Sequence, residues 1–572
     1  MMTQASVRFL FNSSPLFNFS SLWAAALGVA LFLLFANTPF HSLPPDIFGK
    51  LMMNARSRSK PADGVLEGAE EHNPSSTTNP VPVRFLIVGL GPFAKRSYVP
   101  RLLSLTAARR AALVAAVDVE DNRRDLEQYR RATCPDAELV FVPHFTNEMP
   151  GDVSSMLTRL VERLQVSCVI ISTEPLAHCA YGLWALGLGL NIVMDKPVST
   201  RHSAVSSLDQ ATGIAQDFDK LVQSYHSLQL RKSTCFLINS HRRYHAGFQR
   251  ATQLVRRVSE DTGCPVTSIY TLHCDGQWRF PSEIVQQDYH TYNRGYGKVS
   301  HSGYHSIDCV YLFMRAGMGD KKRPDRVEVV SSFVQPAGFF FQLNEDDYKN
   351  LFGEQAYDAA SAFTTKELLC RTKDFGEIDA SIQLTFYNDN EPVSLVHLDL
   401  QHTGFGRRTW LEPGKDLYKG NGRVRHEMHE IKSGPFQSVV IESRQSSDRH
   451  DVVRQNHAEL GGNGHFDLKL FQNSGMLGHR DPLRVSRLDE LVRDKTGDSV
   501  HGNDYSRSVK YAALDEALEF MEGKKSVRDL ISNLPDHHVP AYLMSAMYAS
   551  HIRRKHGLNP VVSLDLSFDK GK

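Results

Sequence analysis

Two short runs in this 572-residue sequence have residue types and spacing that could do chemistry. The first is Gly89-Leu90-Gly91-Pro92-Phe93-Ala94, a GxGxxA turn directly after the apolar run Val83–Val88. Such a turn is built to hold a dinucleotide. Gly89 suits a bend too tight for a side chain, Gly91 lets backbone approach a pyrophosphate, and Ala94 lets the next helix pack closely. Pro92 fits a first helical turn, where its missing N–H costs nothing. The free N–H groups around Phe93 and the helix dipole then favour phosphate. A second apolar run, Leu113–Val117, ends in Asp118, 24 residues beyond Ala94. A carboxylate there can accept from ribose hydroxyls and would repel a 2′-phosphate, so NAD is favoured and NADP is the alternative.

The second run is Asp195-Lys196-Pro197, at the end of the predicted strand Asn191–Met194. Thr173, Pro175 and His178 follow the buried strand Val166–Ser172 in the same manner. Parallel sheets place ligands and chemistry at the carboxyl ends of their strands, so these residues are candidates to line a cofactor crevice. A solvent-facing lysine at a strand end is the bland alternative for Lys196. Further on stands His301-x-Gly303-x-His305-x-x-Asp308. On a helix the two histidines are i,i+4 and Asp308 is i+3 from His305, so all three would share a face. Asp308 there either orients His305 or is an ordinary helix-face carboxylate. The pairs His301/His305 and His241/His245 also have metal spacing, but neither has an evident third ligand, and no metal is expected.

The elements that must position these residues are legible in outline. A chain of 64.3 kDa exceeds one hydrophobic core, and 41% apolar with 23% charged residues suits an ordinary globular protein. Sixty-five basic against 64 acidic residues give a net charge of +1, which argues against nucleic-acid binding through bulk charge. Eight scattered cysteines without a CxxC pair exclude a zinc ribbon and a disulfide-dense scaffold. Residues 1–54 read as an N-terminal extension, 55–82 as a polar flexible linker, 83–200 as a Rossmann domain and 201–572 as a second domain. Within the extension, Leu22–Ala36 is an uncharged apolar run of 15, flanked by Arg8 before it and by Lys50, Arg56, Arg58 and Lys60 after it. A spanning helix needs roughly 20 apolar residues. A single-pass membrane anchor with the bulk facing the cytoplasm, a cleaved signal and an organelle-targeting segment are all open readings.

The runs GLGPFA, STEPLAHCAYGLWALGLGLNIVMDKP and SGYHSID together resemble the Gfo/Idh/MocA family of NAD(P)-dependent oxidoreductases. The family's Glu-Lys-Pro stands here as Asp195-Lys196-Pro197, and its Asp-x-Gly-x-His-x-x-Asp as His301 to Asp308. The resemblance is close over roughly residues 81–320 and looser to the C-terminus. It implies an α/β Rossmann domain followed by an α+β domain with a large open, mostly antiparallel sheet. Alternating patterns at Ser268–His273, Val327–Phe333, Ser381–Tyr387, Ser394–Leu400, Val424–Ile431 and Phe436–Glu442 agree with that sheet. Phe339–Asp379 lacks the rhythm and reads as an insertion or covering loop. Late helices are expected at Tyr511–Met521 and Ala541–Lys555.

The resemblance further implies hydride transfer between a nicotinamide and a secondary alcohol or ketone of a sugar- or polyol-like substrate. Lys196 would position the substrate oxygen and His305 would act as acid/base, roles suited to an ammonium and to an imidazole titrating near neutrality. His301, where the family commonly has Asp, would share the proton work, shift substrate choice or impair the site. The cofactor set would be Gly89, Gly91, Pro92, Phe93, Ala94, Asp118, Thr173, Pro175, His178, Asp195 and Lys196. Arg243, Tyr244, Arg294 and Asp308 would line the substrate. His426, His429, His537 and His538 read as surface histidines. A small-molecule substrate and a homo-oligomer are expected. The alternatives are a non-catalytic cofactor-binding regulator and an NAD-assisted glycosidase.

Overall fold

The run Val83–Val88 is apolar and β-branched because it is covered on both faces, as parallel central strands are. In the computed structural model, which describes residues 81–319, 322–411, 422–447, 458–478, 481–496 and 502–567, this run is strand β1. It lies between β2 (Ala111–Val119) and β4 (Cys168–Ile171), parallel to both. With β3 (Glu138–Val142), β5 (Asn191–Asp195) and β6 (Phe236–Asn239) it completes a parallel sheet in the order β3-β2-β1-β4-β5-β6. The chain direction across the sheet reverses between β1 and β4. That switch point opens a crevice at the strands' carboxyl ends, and the glycine turn, Thr173, Lys196 and His241 all follow strands there.

The second half forms an open nine-stranded sheet, ordered β14-β13-β12-β11-β7-β10-β9-β8-β15. Its strands are β7 (Ser268–Cys274), β8 (Arg326–Val334), β9 (Asp379–Asn388), β10 (Glu391–Gln401), β11 (Arg423–Ser433), β12 (Gln437–Ser447), β13 (Asp467–Gln472), β14 (Leu483–Arg487) and β15 (Val562–Asp565). Every pair is antiparallel except β7 with β10. Period-two alternation sets the buried face. Ala380, Ile382, Leu384 and Phe386 of β9 point inward, as do Val396, Leu398 and Leu400 of β10. Helices Ala246–Thr262, Tyr304–Ala316 and His538–Lys555 pack on that face.

Phe339–Asp379 is not a covering loop. It holds short helices at Pro336–Gln342, Glu345–Phe352, Glu354–Ala360 and Thr365–Thr372. Capping boxes start two of them, from Asn344 with Asp347 and from Thr364 with Glu367, and no strand period was present to find. Their aromatics, including Phe339, Phe340, Tyr348 and Tyr357, build two small cores with Phe280, Ile284 and Tyr292.

The late helices run longer than expected, Gly502–Met521 and His538–Lys555. The first returns to the Rossmann side. Arg101 pairs with Asp515 at 2.8 Å and Arg110 with Glu522 at 2.7 Å. Among the described residues no helix is long and apolar enough to cross a membrane, and the apolar run 22–36 lies outside them.

Candidate active site

Gly89 has φ +88°, and a Cβ there would stand 2.5 Å from the Ser172 carbonyl oxygen and 2.7 Å from Thr173 Cα. No other residue fits. A Cβ on Gly91 would meet nothing within 4 Å, so the backbone there faces open space. Ala94 is wholly buried, Pro92 opens the helix Pro92–Arg96, and Phe93 stacks edge-on to Tyr98. Asp118 lies beside the turn, where its carboxylate accepts from the Leu90 amide at 2.7 Å and the Val119 amide at 2.8 Å. A bend only glycine can make, an open backbone approach and a neighbouring acid fit a bound dinucleotide.

Two expected cofactor contacts are braces instead. The buried His178 ring sits between the carbonyls of Pro197 (2.8 Å) and Thr173 (3.2 Å), tying the loops after β4 and β5 together. Asp195 accepts from the Tyr98 hydroxyl and from Ser172 Oγ, both at 2.6 Å. Both carboxylate oxygens are thereby committed to the scaffold. Pro175 opens a 3₁₀ turn, and Glu174 beside it accepts from the Tyr296 hydroxyl.

Lys196 leaves the end of β5 and donates its ammonium hydrogen bond to the backbone carbonyl of His301. Burial pulls its pKa down to about 8, with Asp195 and Asp275 opposing and Arg242 and Lys298 assisting. The accepting carbonyl belongs to a π-helical turn, Val299–Gly303, in which the Gly303 amide bonds the Lys298 carbonyl at 2.8 Å. Such turns concentrate at functional sites. Glu377 holds this one from below: its carboxylate accepts from the Val299 amide at 2.8 Å and the Tyr548 hydroxyl at 2.9 Å. Burial pushes Glu377 up to about 7. Lys298 is wholly buried, with Asp275 at 2.7 Å, His273 at 2.8 Å and Ser302 at 2.9 Å.

The two histidines expected together on one helix face meet different neighbours, His301 from the π-turn and His305 from the α-helix that follows. His301 packs among His290, Tyr296 and His402, with ring centroids 4.7, 5.3 and 5.7 Å away. His305, on the following α-helix, meets the His241 ring edge-on at 4.1 Å. Both are buried, and neither Nδ1 has a hydrogen-bond partner. Burial holds both well below the usual imidazole value, reinforced at His301 by His290 and His402 and at His305 by His241 and Arg242; Lys196 adds to each.

Three expected substrate residues are occupied elsewhere. Asp308 does not orient His305; it accepts from Arg243 at 2.7 Å and Ser240 at 2.5 Å. Arg243 also donates to the carbonyls of Ile531 and Asp536, and the Tyr244 hydroxyl donates to Glu516 at 2.7 Å. A strand-end sequence cannot reveal these partners, because they come from the C-terminal segment. Arg294 is half-buried, and its charge acts on Tyr296. Two expected surface histidines are wholly buried. His429 bonds Thr271 and Glu427, each at 3.1 Å, and His537 bonds Ser532 at 2.9 Å. His426 and His538 are half-buried.

His290, His402 and Glu377 surround the site but were not foreseen. Among the described residues no group of three or more His, Cys, Asp or Glu is placed to hold a metal ion.

The parallel sheet, glycine turn and adjacent acid define a Rossmann domain fitted to a dinucleotide. The family model described as "Oxidoreductase family, NAD-binding Rossmann fold", that of the Gfo/Idh/MocA oxidoreductases, matches residues 83–226, so this part of the chain is similar to that family. Similar solved structures are all of low identity. An oxidoreductase domain protein from Kribbella flavida is 11% identical with a TM-score of 0.51, covering 85% of this chain and all of that one. An aldose-aldose oxidoreductase from Caulobacter crescentus, complexed with glycerol, is 13% identical with a TM-score of 0.48 over 85% of this chain and all of its own. The WlbA dehydrogenase from Bordetella pertussis, in complex with NADH and UDP-GlcNAcA, is 12% identical with a TM-score of 0.48, covering 85% and 98%. Among the curated proteins none matches.

Proposed function

We propose that this protein is an NAD-dependent dehydrogenase or reductase acting on a secondary alcohol or ketone of a sugar- or polyol-like substrate. The supporting observation is the convergence of Lys196 and His305 at the carboxyl ends of the strands that carry the glycine turn. The residues Gly89 to Ala94 and Asp118 would hold the dinucleotide, with Thr173 and Pro175 beside it. Bound NAD supplies a hydride acceptor, and NADH a donor, at the nicotinamide ring. Lys196 Nζ, oriented by the His301 carbonyl, steadies negative charge on the substrate oxygen. His305, held neutral by its surroundings, takes the hydroxyl proton in oxidation and returns it in reduction. His301, equally neutral, lines the same pocket without the negative charge that an Asp would bring there.

The test is a panel of sugars and polyols assayed at the reduced-nicotinamide absorbance band, with NAD and NADP in parallel, on wild type and Lys196→Ala. Turnover in wild type and its loss in the variant, with NADH binding kept, is the expected result. Normal turnover in the variant overturns the site.

A further inference from the structure

Around the catalytic end of the crevice, three buried acids are already paired with cations. Arg242 holds Glu427 at 2.5 and 2.8 Å, Arg243 holds Asp308, and Asp275 is shared by Arg423 at 2.5 Å and Lys298 at 2.7 Å. Two cations at the same end have no such partner among the described residues. Arg425 lies between Arg423 and Glu427 on β11, so strand alternation puts all three on the face that meets Arg242 of the β6 loop. Among the described residues its guanidinium bonds the neutral amide oxygen of Gln445 and no carboxylate. Lys510 sits on helix Gly502–Met521, where its backbone carbonyl accepts from Asn239 at 3.0 Å at the end of β6. No carboxylate among the described residues pairs with Lys510.

These two cations face one another and the reaction site. Burial and the charges of Arg425, Arg96 and Arg507 bring Lys510 down to about 8. Burial and Arg423 bring Arg425 down to about 10. Lys510 and Lys196 both act on His241, whose ring lies against His305. Glu427 and Asp275 offset part of the charge on Arg425, but both carboxylates are already bonded to other cations, so two half-buried cations that repel each other mark a place for a further anion.

We infer that the substrate carries an anionic group, a carboxylate or a phosphate, which docks on Lys510 and Arg425 beside His241. Its reacting hydroxyl carbon then lies at Lys196 and His305, and this placement rests on the oxidoreductase reading; the anion site itself does not. The cofactor's pyrophosphate is the other source of negative charge, and Arg96 stands near its turn. Arg425, however, belongs to β11 of the second sheet, beside Glu427, which holds Arg242 of the β6 loop. Each cation desolvated on binding and paired with a carboxylate favours an acidic ligand over its neutral counterpart.

The experiment compares glucuronate, glucose and inorganic phosphate on the full chain, by thermal shift without cofactor and by titration in the presence of NADH. Glucuronate should bind at least about tenfold more tightly than glucose, and phosphate should raise the melting temperature. Lys510→Met and Arg425→Met, which keep apolar stems, should each remove about tenfold of that preference and leave the NADH dissociation constant within about twofold. Equal binding of glucuronate and glucose by wild type overturns the inference, and that arm needs no variant. Variants that lose NADH affinity while keeping the acid preference also overturn it, because the cations then serve the pyrophosphate. Failure of wild type to bind NADH would sink the oxidoreductase reading alone, and the comparison without cofactor would still decide the anion site.

Discussion

The ammonium of Lys196 donates to the backbone carbonyl of His301, 105 residues further along the chain. One end of this bond is the fifth strand of the Rossmann sheet. The other is a π-turn leading into the helix that carries His305. A cation from one half of the molecule is thus aimed by the backbone of the other. Replacing Lys196 by Met keeps the stem and removes the charge. The expected result is a fall in kcat/KM of about a hundredfold or more, with NADH affinity nearly unchanged. Steady-state kinetics and NADH fluorescence titration check it.

The pH dependence follows from the same lysine. It is charged below its pKa, which burial lowers to about 8, so activity that needs the ammonium should decline as pH rises through about 8. His305 is held well below its ordinary value, so the acidic limb should lie below the usual imidazole range. A kcat/KM profile flat from pH 8 to 10 would contradict the role given to Lys196.

Asp118 should decide between the two nicotinamide cofactors. Its carboxylate stands beside the glycine turn, bonded to the Leu90 amide. Asp118→Ser removes the charge that repels a 2′-phosphate and should raise the NADP-to-NAD ratio of kcat/KM by about tenfold. An unchanged ratio would place the ribose elsewhere.

Glu377 predicts a stability effect with a definite sign. Its folded pKa, about 7, lies above the ordinary value of 4.5. Between those values the unfolded chain has released a proton that the folded protein keeps, so wild-type stability should drop as pH rises from about 4.5 to 7, by up to about 3 kcal/mol. Glu377→Gln keeps an acceptor for the Val299 amide and cannot ionise. Its melting temperature relative to wild type should therefore climb between pH 5 and pH 8, then level off. A constant difference would show that the carboxyl is already ionised in the fold at pH 5.

Local signals made the cofactor half readable. Val83–Val88, Gly89, Gly91 and Asp118 announce their roles through adjacent residues, and so does Lys196 after its strand. The second sheet was legible where alternation is regular, as in β9 and β10, and illegible in β13, β14 and β15, which are short and polar. Asp308 and Arg243 misled because their spacing suits a helix face and a strand end, while their partnership with each other is a tertiary fact. The spacing of His301 and His305 suits one α-helical face, but His301 lies in a π-turn, and the His402 and His241 rings that they meet come from segments distant in sequence. Glu377 lay in a stretch without any period, and Lys510 and Arg425 matter only because three distant segments bring them beside His241.

One rim of each sheet is completed by the late segment 532–565. The rim strand β6 receives the Ser532 carbonyl on its Ile238 amide at 2.9 Å, and β8 is covered by Val562–Asp565. During synthesis, then, a ribosome that has delivered the glycine turn, Lys196 and His305 still holds a protein with two unfinished rims. Exposed strand rims invite pairing with other chains, so until residues 532–565 have emerged the nascent polypeptide keeps two edges open to aggregation.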